Sequence, residues 1–98
     1  MVKSPPLYHY PSITTLHTMN NRKIIIPNNL KEYRLKAGLR QIDVAKLLGF
    51  ATEERICNWE KGRNIPSIMN LFKLAKIYKT DPRVLYREVV EEISFEKM

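Results

Sequence analysis

The sequence is poor in the residues that build metal sites and disulfides. Cys57 is the only cysteine, so an internal disulfide is excluded. The two histidines, His9 and His17, give no metal-ligand spacing with Cys57, and we predict neither a zinc site nor any other cofactor. Because no nucleophile–base pair is visible and both histidines lie near the N-terminus, the sequence also argues against an enzyme.

Glycine is scarce and long apolar runs are absent. The three glycines, Gly38, Gly49 and Gly62, each follow a predicted helix, and none belongs to a phosphate-cradling run, which counts against a nucleotide site. No apolar stretch approaches the ~20 residues that a membrane span needs, and no signal-peptide pattern opens the chain. We therefore expect a cytoplasmic protein without membrane contact. The length of 98 residues suits one small domain.

The net charge of +7 is unevenly distributed along the chain. Residues 1–28 carry three basic side chains and no acid, residues 29–87 carry a net +7, and residues 88–98 carry a net −3. Positive charge on the central part and the N-terminal arm suits a polyanionic partner such as nucleic acid. Plain solubility explains the same charge equally well, so charge alone leaves both explanations open.

Residues 1–26 show no lasting helical or strand period and hold three prolines. We predict an N-terminal arm that is mostly disordered. The exception is Ile24-Ile25-Ile26, which suits either a short strand or a plug packed on the domain edge. Arg22 and Lys23 stand where an arm could reach a DNA groove, although an idle tail is the favoured interpretation.

The hydrophobic period predicts five short helices and no strand, so the fold class is all-α. Prolines and glycines mark their limits. The helices are expected at about 30–37, 41–48, 53–61, 67–78 and 82–88. They form one domain over residues 27–88, which is followed by an acidic C-terminal tail over residues 89–98 that we expect to fray.

Several helix ends carry capping signals. Asn29 is the predicted N-cap of the first helix, and Glu32 completes a capping box with it. Thr52 suits the N-cap of the third helix, and either Thr80 or Asp81 that of the fifth. The second helix starts less well, since Arg40 stands where a hydroxyl would cap and arginine is a poor cap.

Apolar positions at helical spacing predict which faces turn inward. A core role for Trp59 is favoured over base stacking, because Trp59 shares a face with Ile56. On the second helix, Val44, Ala45 and Leu48 share one face. The inward positions of the last two helices are Ile68, Leu71, Phe72, Leu74, Ala75 and Tyr78, followed by Val84, Leu85, Val89 and Ile93.

This pattern resembles the lambda-repressor/Cro-like helix-turn-helix family, also called the xenobiotic-response-element family. The match covers roughly residues 30–87. The residues that carry it are Arg34, Gly38-Leu39, Gln41, Ala45, Leu48-Gly49, Ile56, Trp59-Glu60-Lys61-Gly62, Pro66-Ser67 and residues 71–75. The resemblance implies a five-helix bundle that binds operator DNA, usually as a homodimer, with the third helix in the major groove.

The resemblance also implies roles for single positions. Gln41 matches a glutamine that bonds a DNA phosphate, and residues 52–58 match the outward face of the recognition helix. Arg34 and Glu60 match a structural ion pair between the first and third helices. By side-chain chemistry, Arg55 suits guanine and Asn58 suits adenine. The full set of expected DNA contacts is Arg40, Gln41, Thr52, Glu53, Glu54, Arg55, Asn58, Lys61, Arg63 and Asn64.

Two features depart from the family pattern. The turn is one residue longer than the commonest one. The recognition helix also begins with Glu53 and Glu54, although phosphates repel acids. The helix dipole explains Glu53, whereas for Glu54 the dipole and a hydrogen bond from cytosine N4 remain open.

The sequence therefore predicts a sequence-specific DNA-binding transcriptional regulator, a repressor of bacterial, phage or mobile-element origin that acts as a homodimer on double-stranded DNA. The alternative is an antitoxin-like interaction module that binds a partner protein and its own promoter. Its contact surface would be the acidic tail with Val89, Val90, Ile93 and Phe95. The same residues would equally serve a dimer interface.

Overall fold

The structure is a computed structural model that describes residues 25–95. Over that range the chain forms helices and connecting turns, with no strand. The helices are α1 Leu30–Lys36, α2 Gln41–Leu48, α3 Glu54–Glu60, α4 Ile68–Ile77, α5 Pro82–Leu85 and α6 Arg87–Glu92. The predicted all-α class is confirmed. Of the arm predicted for residues 1–26, residues 1–24 lie outside the described residues, and so does the end of the tail at residues 96–98.

The predicted fifth helix is divided into two short helices. Tyr86, with φ −127° and ψ 43°, leaves the helical region and separates α5 from α6. Its side chain is buried, as is that of Leu85. The break thus falls at a point where two consecutive side chains belong to the core.

The hydrophobic core draws on every helix from α1 to α5. Helix α3 packs against both α1 and α2, and α5 joins α4 to α6. The core thus packs against the inner faces of α2 and α3 and holds these two helices in place. Its buried apolar residues are Leu30, Val44, Ala45, Ile56, Trp59, Leu74, Ala75, Tyr78, Leu85 and Tyr86.

Three residues predicted to face inward lie at the surface instead. Ile68 and Phe72 on α4 and Ile93 after α6 are all more than half exposed. On α4 the buried stripe is narrow and centres on Leu74, Ala75 and the following Tyr78, so the side chains to one side of it are not covered by any part of the chain that the structure describes. Ile93 follows the last turn of α6, beyond the reach of the core.

The cap of α1 differs from the prediction. Asn29 occupies the N-cap position but makes no side-chain cap, and its Nδ2 donates instead to the carbonyl of Val84 at 2.9 Å. The neighbouring Asn28 accepts from the amide of Leu30 at 3.0 Å. The expected capping box is therefore wrong: Asn29 is used to tie α1 to α5, and Glu32 forms an exposed ion pair with Lys36.

The other helix starts are capped in different ways. The hydroxyl of Ser67 caps α4 and a carboxylate oxygen of Asp81 caps α5, which decides between Thr80 and Asp81. Thr52 lies one residue before the N-cap of α3, and its Oγ1 accepts a long hydrogen bond of 3.4 Å from the amide of Glu54. Arg40 at the start of α2 is held through its amide, which donates to Asp43 Oδ2 at 2.8 Å.

The chain enters the domain beside the C-terminal end of α3. The amide of Ile26 donates to the carbonyl of Gly62 at 2.9 Å, and the side chain of Ile26 packs on the core edge. Asn28 Nδ2 lies within hydrogen-bond distance of the carbonyls of Ile26 and Trp59, at 3.1 Å each. For Ile26 this arrangement matches the plug rather than the strand.

Candidate nucleic-acid interface

The interface is built on the helix pair α2–α3. Helix α2 ends at Gly49, which adopts the left-handed conformation with φ 83°, where a residue without Cβ is favoured. The amide of Phe50 then donates to the carbonyl of Ala45 at 2.8 Å, which closes the turn. Residues 50–53 lead into α3, whose Ile56 and Trp59 are buried. Burial of these two side chains fixes which face of α3 is left outside.

Arg34 holds the C-terminal end of α3 against α1. Its Nε donates to Glu60 Oε2 at 2.6 Å and its Nη2 donates to Glu60 Oε1 at 3.1 Å. Its Nη1 donates to the carbonyl of Leu39 at 2.9 Å, so the guanidinium also fixes the segment before α2. The hydrogen bond to Glu60 raises the pKa of Arg34. The charge at the α1–α3 contact is therefore permanent and fully paired.

Gln41, the expected phosphate ligand, joins this group. Its Nε2 donates to Glu60 Oε1 at 2.9 Å. The amide group thus turns toward α3, and its second N–H remains for another acceptor. Gln41 links the first turn of α2 to the end of α3, so the two helices are tied at both the core and this polar contact.

The outward side of α3 carries Arg55 and Asn58. Arg55 is exposed, and its guanidinium carbon lies 4.1 Å from the ring centroid of Phe50 and 5.8 Å from that of Trp59. The rings of Phe50 and Trp59 meet edge to face at 5.9 Å. Asn58 is half-buried, and its Oδ1 accepts from Arg63 Nη1 at 3.0 Å. The structure therefore brings Asn58 and Arg63 together and stacks Arg55 on the turn.

The remaining expected contacts lie around these two residues. Thr52, Glu53 and Glu54 are exposed at the start of α3, and Lys61, Arg63 and Asn64 are exposed beyond its end. Because α3 begins at Glu54, both carboxylates sit at the positive end of its dipole. The side chains of basic residues thus follow the C-terminal end of α3, while acids occupy its N-terminal end.

Arg40 does not stand alone at the start of α2. Its Nε and Nη2 donate to the two carboxylate oxygens of Asp43, at 3.0 and 2.8 Å. The hydrogen bonds from Arg40 lower the pKa of Asp43 to about 2. The pair therefore carries no net charge near neutral pH, which weakens the attraction of Arg40 for a phosphate.

No group of three or more metal-ligating side chains occurs within residues 25–95. Cys57 is half-buried on α3. No helix in the same range is long and apolar enough to cross a membrane.

Comparison with protein families identifies this arrangement. The family described as helix-turn-helix matches residues 30–85, which is more than half of the 98-residue chain and spans α1 to α5. The chain belongs to the lambda-repressor-like (xenobiotic-response-element) helix-turn-helix family. Members of this family are DNA-binding transcription regulators, and the chain carries their DNA-binding domain. Comparisons with curated proteins and with solved structures gave no significant match.

Sequence reasoning missed two residues of this helix-turn-helix. Phe50 counted only as part of a lengthened turn, yet its ring lies under Arg55. The ion pair between Arg40 and Asp43 was also missed, although oppositely charged residues three positions apart at the start of a helix commonly pair. For Phe50, the signal available in the sequence was an aromatic residue in the turn, five positions before Arg55.

Proposed function

We propose that this helix-turn-helix protein is a sequence-specific repressor of bacterial, phage or mobile-element origin, which works in the cytoplasm by occupying its operator. The observation that supports this most is the orientation of α3. Its inner side is buried through Ile56 and Trp59, its end is held by Arg34, and its outer side presents Arg55 and Asn58. A helix fixed in this way can place the same side chains against the same base edges each time it binds.

Base contacts are assigned to Arg55 and Asn58. Arginine donates bidentately to O6 and N7 of guanine, and asparagine pairs with N6 and N7 of adenine. Asn58 Oδ1 already accepts one bond from Arg63, and a carbonyl oxygen has a second lone pair for the adenine amino group. Each good pair gives ~1–3 kcal/mol of discrimination between bases.

Phosphate contacts are assigned to the residues that follow α3 and to the start of α2. Lys61, Arg63 and Asn64 are exposed beyond the end of α3. Gln41 and Arg40 occupy the start of α2, where Gln41 still has one free N–H and Arg40 shares its charge with Asp43. Contacts of this kind set affinity and salt dependence but carry no sequence information.

The start of the recognition helix is acidic and is not assigned any phosphate contact. Thr52 and Glu53 lie in the turn before α3, and Glu54 is its first residue. Both glutamates stabilise the positive end of the helix dipole. Glu54 is the better placed of the two for a hydrogen bond from cytosine N4, because recognition helices contact bases through their N-terminal residues.

We further propose that two copies bind a near-palindrome, with α3 of each copy in successive major grooves ~34–36 Å apart. Selection of duplexes from a random pool, followed by sequencing, tests the regulator function. The expected result is enrichment of a two-fold symmetric motif with a guanine in each half-site. Absence of any enriched motif would contradict the regulator function. Light scattering on the purified protein tests the dimer.

A second candidate function is an antitoxin-like interaction module. Its support is the surface at the C-terminal end, where Val90, Ile93 and Phe95 are 40%, 59% and 83% exposed beside glutamates. Such a surface suits a partner protein or a second copy of this chain. The triple variant V90D/I93D/F95D separates these two occupants. If the wild type is a dimer and the variant a monomer, the surface is the dimer interface. If the oligomeric state is unchanged, the surface is left for a partner protein.

A further inference from the structure

We propose that Phe50 is a specificity-determining positioning residue, which holds Arg55 in the orientation that recognises guanine. The inference rests on the proposed DNA-binding function and extends it to a residue in the turn, outside the recognition helix. It follows from the position of the Phe50 ring, from the position of the Arg55 guanidinium, and from the bonding of the other arginines near the interface.

Phe50 is anchored through both its backbone and its ring. Its amide donates to the carbonyl of Ala45 at 2.8 Å, and its ring meets that of Trp59 edge to face, with 5.9 Å between centroids and 70° between planes. Trp59 is itself only 3% exposed. The Phe50 ring therefore forms a fixed platform at the surface edge of the core, rather than a mobile side chain of the turn.

Arg55 lies on this platform. Its guanidinium carbon is 4.1 Å from the centre of the Phe50 ring, well inside the ~6 Å range of a cation–π contact. Such a contact uses the face of the guanidinium and leaves its N–H donors free, and Arg55 donates no hydrogen bond to any residue described in the structure. The planar fork thus stays available for a bidentate acceptor such as the O6/N7 edge of guanine.

The other arginines of this region are already engaged. Arg34 is bonded to Glu60, Arg40 to Asp43, and Arg63 to Asn58. Among the described residues of α1 to α3 and the following loop, Arg55 is the one arginine whose orientation is fixed while its donors remain unused. Without the ring, Arg55 would sample many rotamers and would be free to turn toward the neighbouring carboxylates of Glu53 and Glu54.

Five proteins test the role of Phe50: wild type, F50L, F50Y, R55A and the double variant F50L/R55A. Leucine keeps an apolar contact with Trp59 but removes the aromatic face, and tyrosine keeps that face. Affinities are measured for the duplex that wild type selects from a random pool and for a scrambled duplex of equal length. Circular dichroism melting curves establish that each variant is folded at the assay temperature.

The expected result is selective. F50L should bind the selected duplex about 2- to 5-fold more weakly, the size expected from loss of an exposed cation–π contact. Its affinity for the scrambled duplex should be unchanged. F50Y should resemble wild type, and F50L should have no further effect when Arg55 is already alanine. A residue that acted only through the fold would weaken both duplexes and would do so on either background.

Three results would overturn the positioning role: undiminished discrimination in F50L, an equal loss on both duplexes, or the same loss in the R55A background. If F50L does not fold, the chemical shift of the Arg55 Nε–H in the wild type tests the contact with Phe50 instead. The ring current of Phe50 must move this resonance upfield of the position that an exposed arginine shows. A resonance at the ordinary position also overturns it. If wild type enriches no duplex, it is the proposed function that fails.

Discussion

Arg34 and Glu60 are joined by two hydrogen bonds across the contact between α1 and α3, with Arg34 Nε 2.6 Å from Glu60 Oε2 and Nη2 3.1 Å from Oε1. Their side chains are only 8% and 4% exposed. A charge removed from water to this degree depends on its partner, because neither group can return to solvent without opening the contact. The pair therefore links the stability of the fold to the position of the recognition helix.

The first prediction concerns loss of this arginine. Within residues 25–95, R34A leaves the buried carboxylate of Glu60 with Gln41 as its one hydrogen-bond donor, and it removes the bond to the carbonyl of Leu39. We expect the free energy of unfolding to fall by about 3–5 kcal/mol, the usual cost of an orphaned buried charge. Thermal or urea unfolding followed by circular dichroism measures it.

The control for this variant is K36A on the same helix. Lys36 pairs with Glu32 at the surface, where both side chains are more than half exposed. Lys36 Nζ also lies 4.7 Å from the centre of the Tyr33 ring, so its removal should cost about 1 kcal/mol, still well below the cost of R34A. If R34A and K36A melted at the same temperature, the structural importance of the Arg34–Glu60 pair would be refuted.

The second prediction concerns the segment that enters the domain at Ile26. Gly62 has φ 76°, and a Cβ added there would lie 2.6 Å from the carbonyl oxygen of Ile26. Gly38 has the same φ but nothing within 4 Å of its Cβ position. G38A therefore carries only the backbone strain, about 1–2 kcal/mol, whereas G62A carries that strain together with a clash. We expect G62A to be the less stable of the two by urea unfolding.

Equal stabilities for G62A and G38A would mean that Ile26 moves away from Gly62 at no cost. Hydrogen exchange at the amide of Ile26 gives an independent measure, because this amide donates to the carbonyl of Gly62 in the wild type. It should be protected in wild type and in G38A, and exposed to exchange in G62A.

The sequence predicted the fold class and the helix pair because local signals dominated there. Gly49 supplied the positive φ that ends α2, and Ile56 and Trp59 shared a face with the spacing of a helix. These features depend on neighbours within a few residues, so no knowledge of the remaining chain was required.

The errors arose where a side chain had distant partners. Asn29 lost its capping role because its amide reaches Val84, 55 positions along the chain. Ile68 and Phe72 satisfied the helical period, but none of residues 25–95 covers their side of α4. At the interface, the pairing of Arg63 with Asn58 depends on how the chain leaves α3, and helical spacing does not extend past that point.

The third prediction separates phosphate contacts from base contacts. Lys61 is exposed just beyond α3, whereas Asn58 lies within it. K61A should weaken binding to selected and scrambled duplexes by similar factors and reduce the slope of log K against log salt by about 1. N58A should weaken binding to the selected duplex more than to the scrambled one. Because N58A also removes the acceptor that holds Arg63, this ratio and not the salt slope tests the base contact.

Affinities measured across a salt series for both duplexes provide this comparison. A K61A variant with the wild-type slope would remove Lys61 from the set of phosphate contacts. An N58A variant that weakened both duplexes equally would remove Asn58 from the set of base contacts. Arg63 is the less suitable choice for this test, because its removal would also free Asn58.

The last prediction concerns alkaline pH. Burial raises the pKa of Tyr86 from 10.0 to about 12, and burial also raises the pKa of Tyr78. A raised folded-state pKa means that the neutral phenol is favoured by folding. The contribution of the buried neutral phenol to the free energy of unfolding is fully present below pH 10. It is lost as the pH rises from 10 toward 12. For Tyr86, a shift of this size corresponds to roughly 3 kcal/mol at most.

Tyr86→Phe isolates this contribution. The buried hydroxyl of Tyr86 has no hydrogen-bond partner among the described residues, so Y86F should be as stable as wild type at pH 7 or slightly more stable. Between pH 10 and 12 the wild type should lose stability faster than Y86F, because phenylalanine has no proton to release from the core. Urea unfolding at pH 7, 10 and 11 measures both effects. A steeper alkaline decline in Y86F than in wild type would contradict the burial of this phenol, since the sign of the linkage follows directly from its raised pKa.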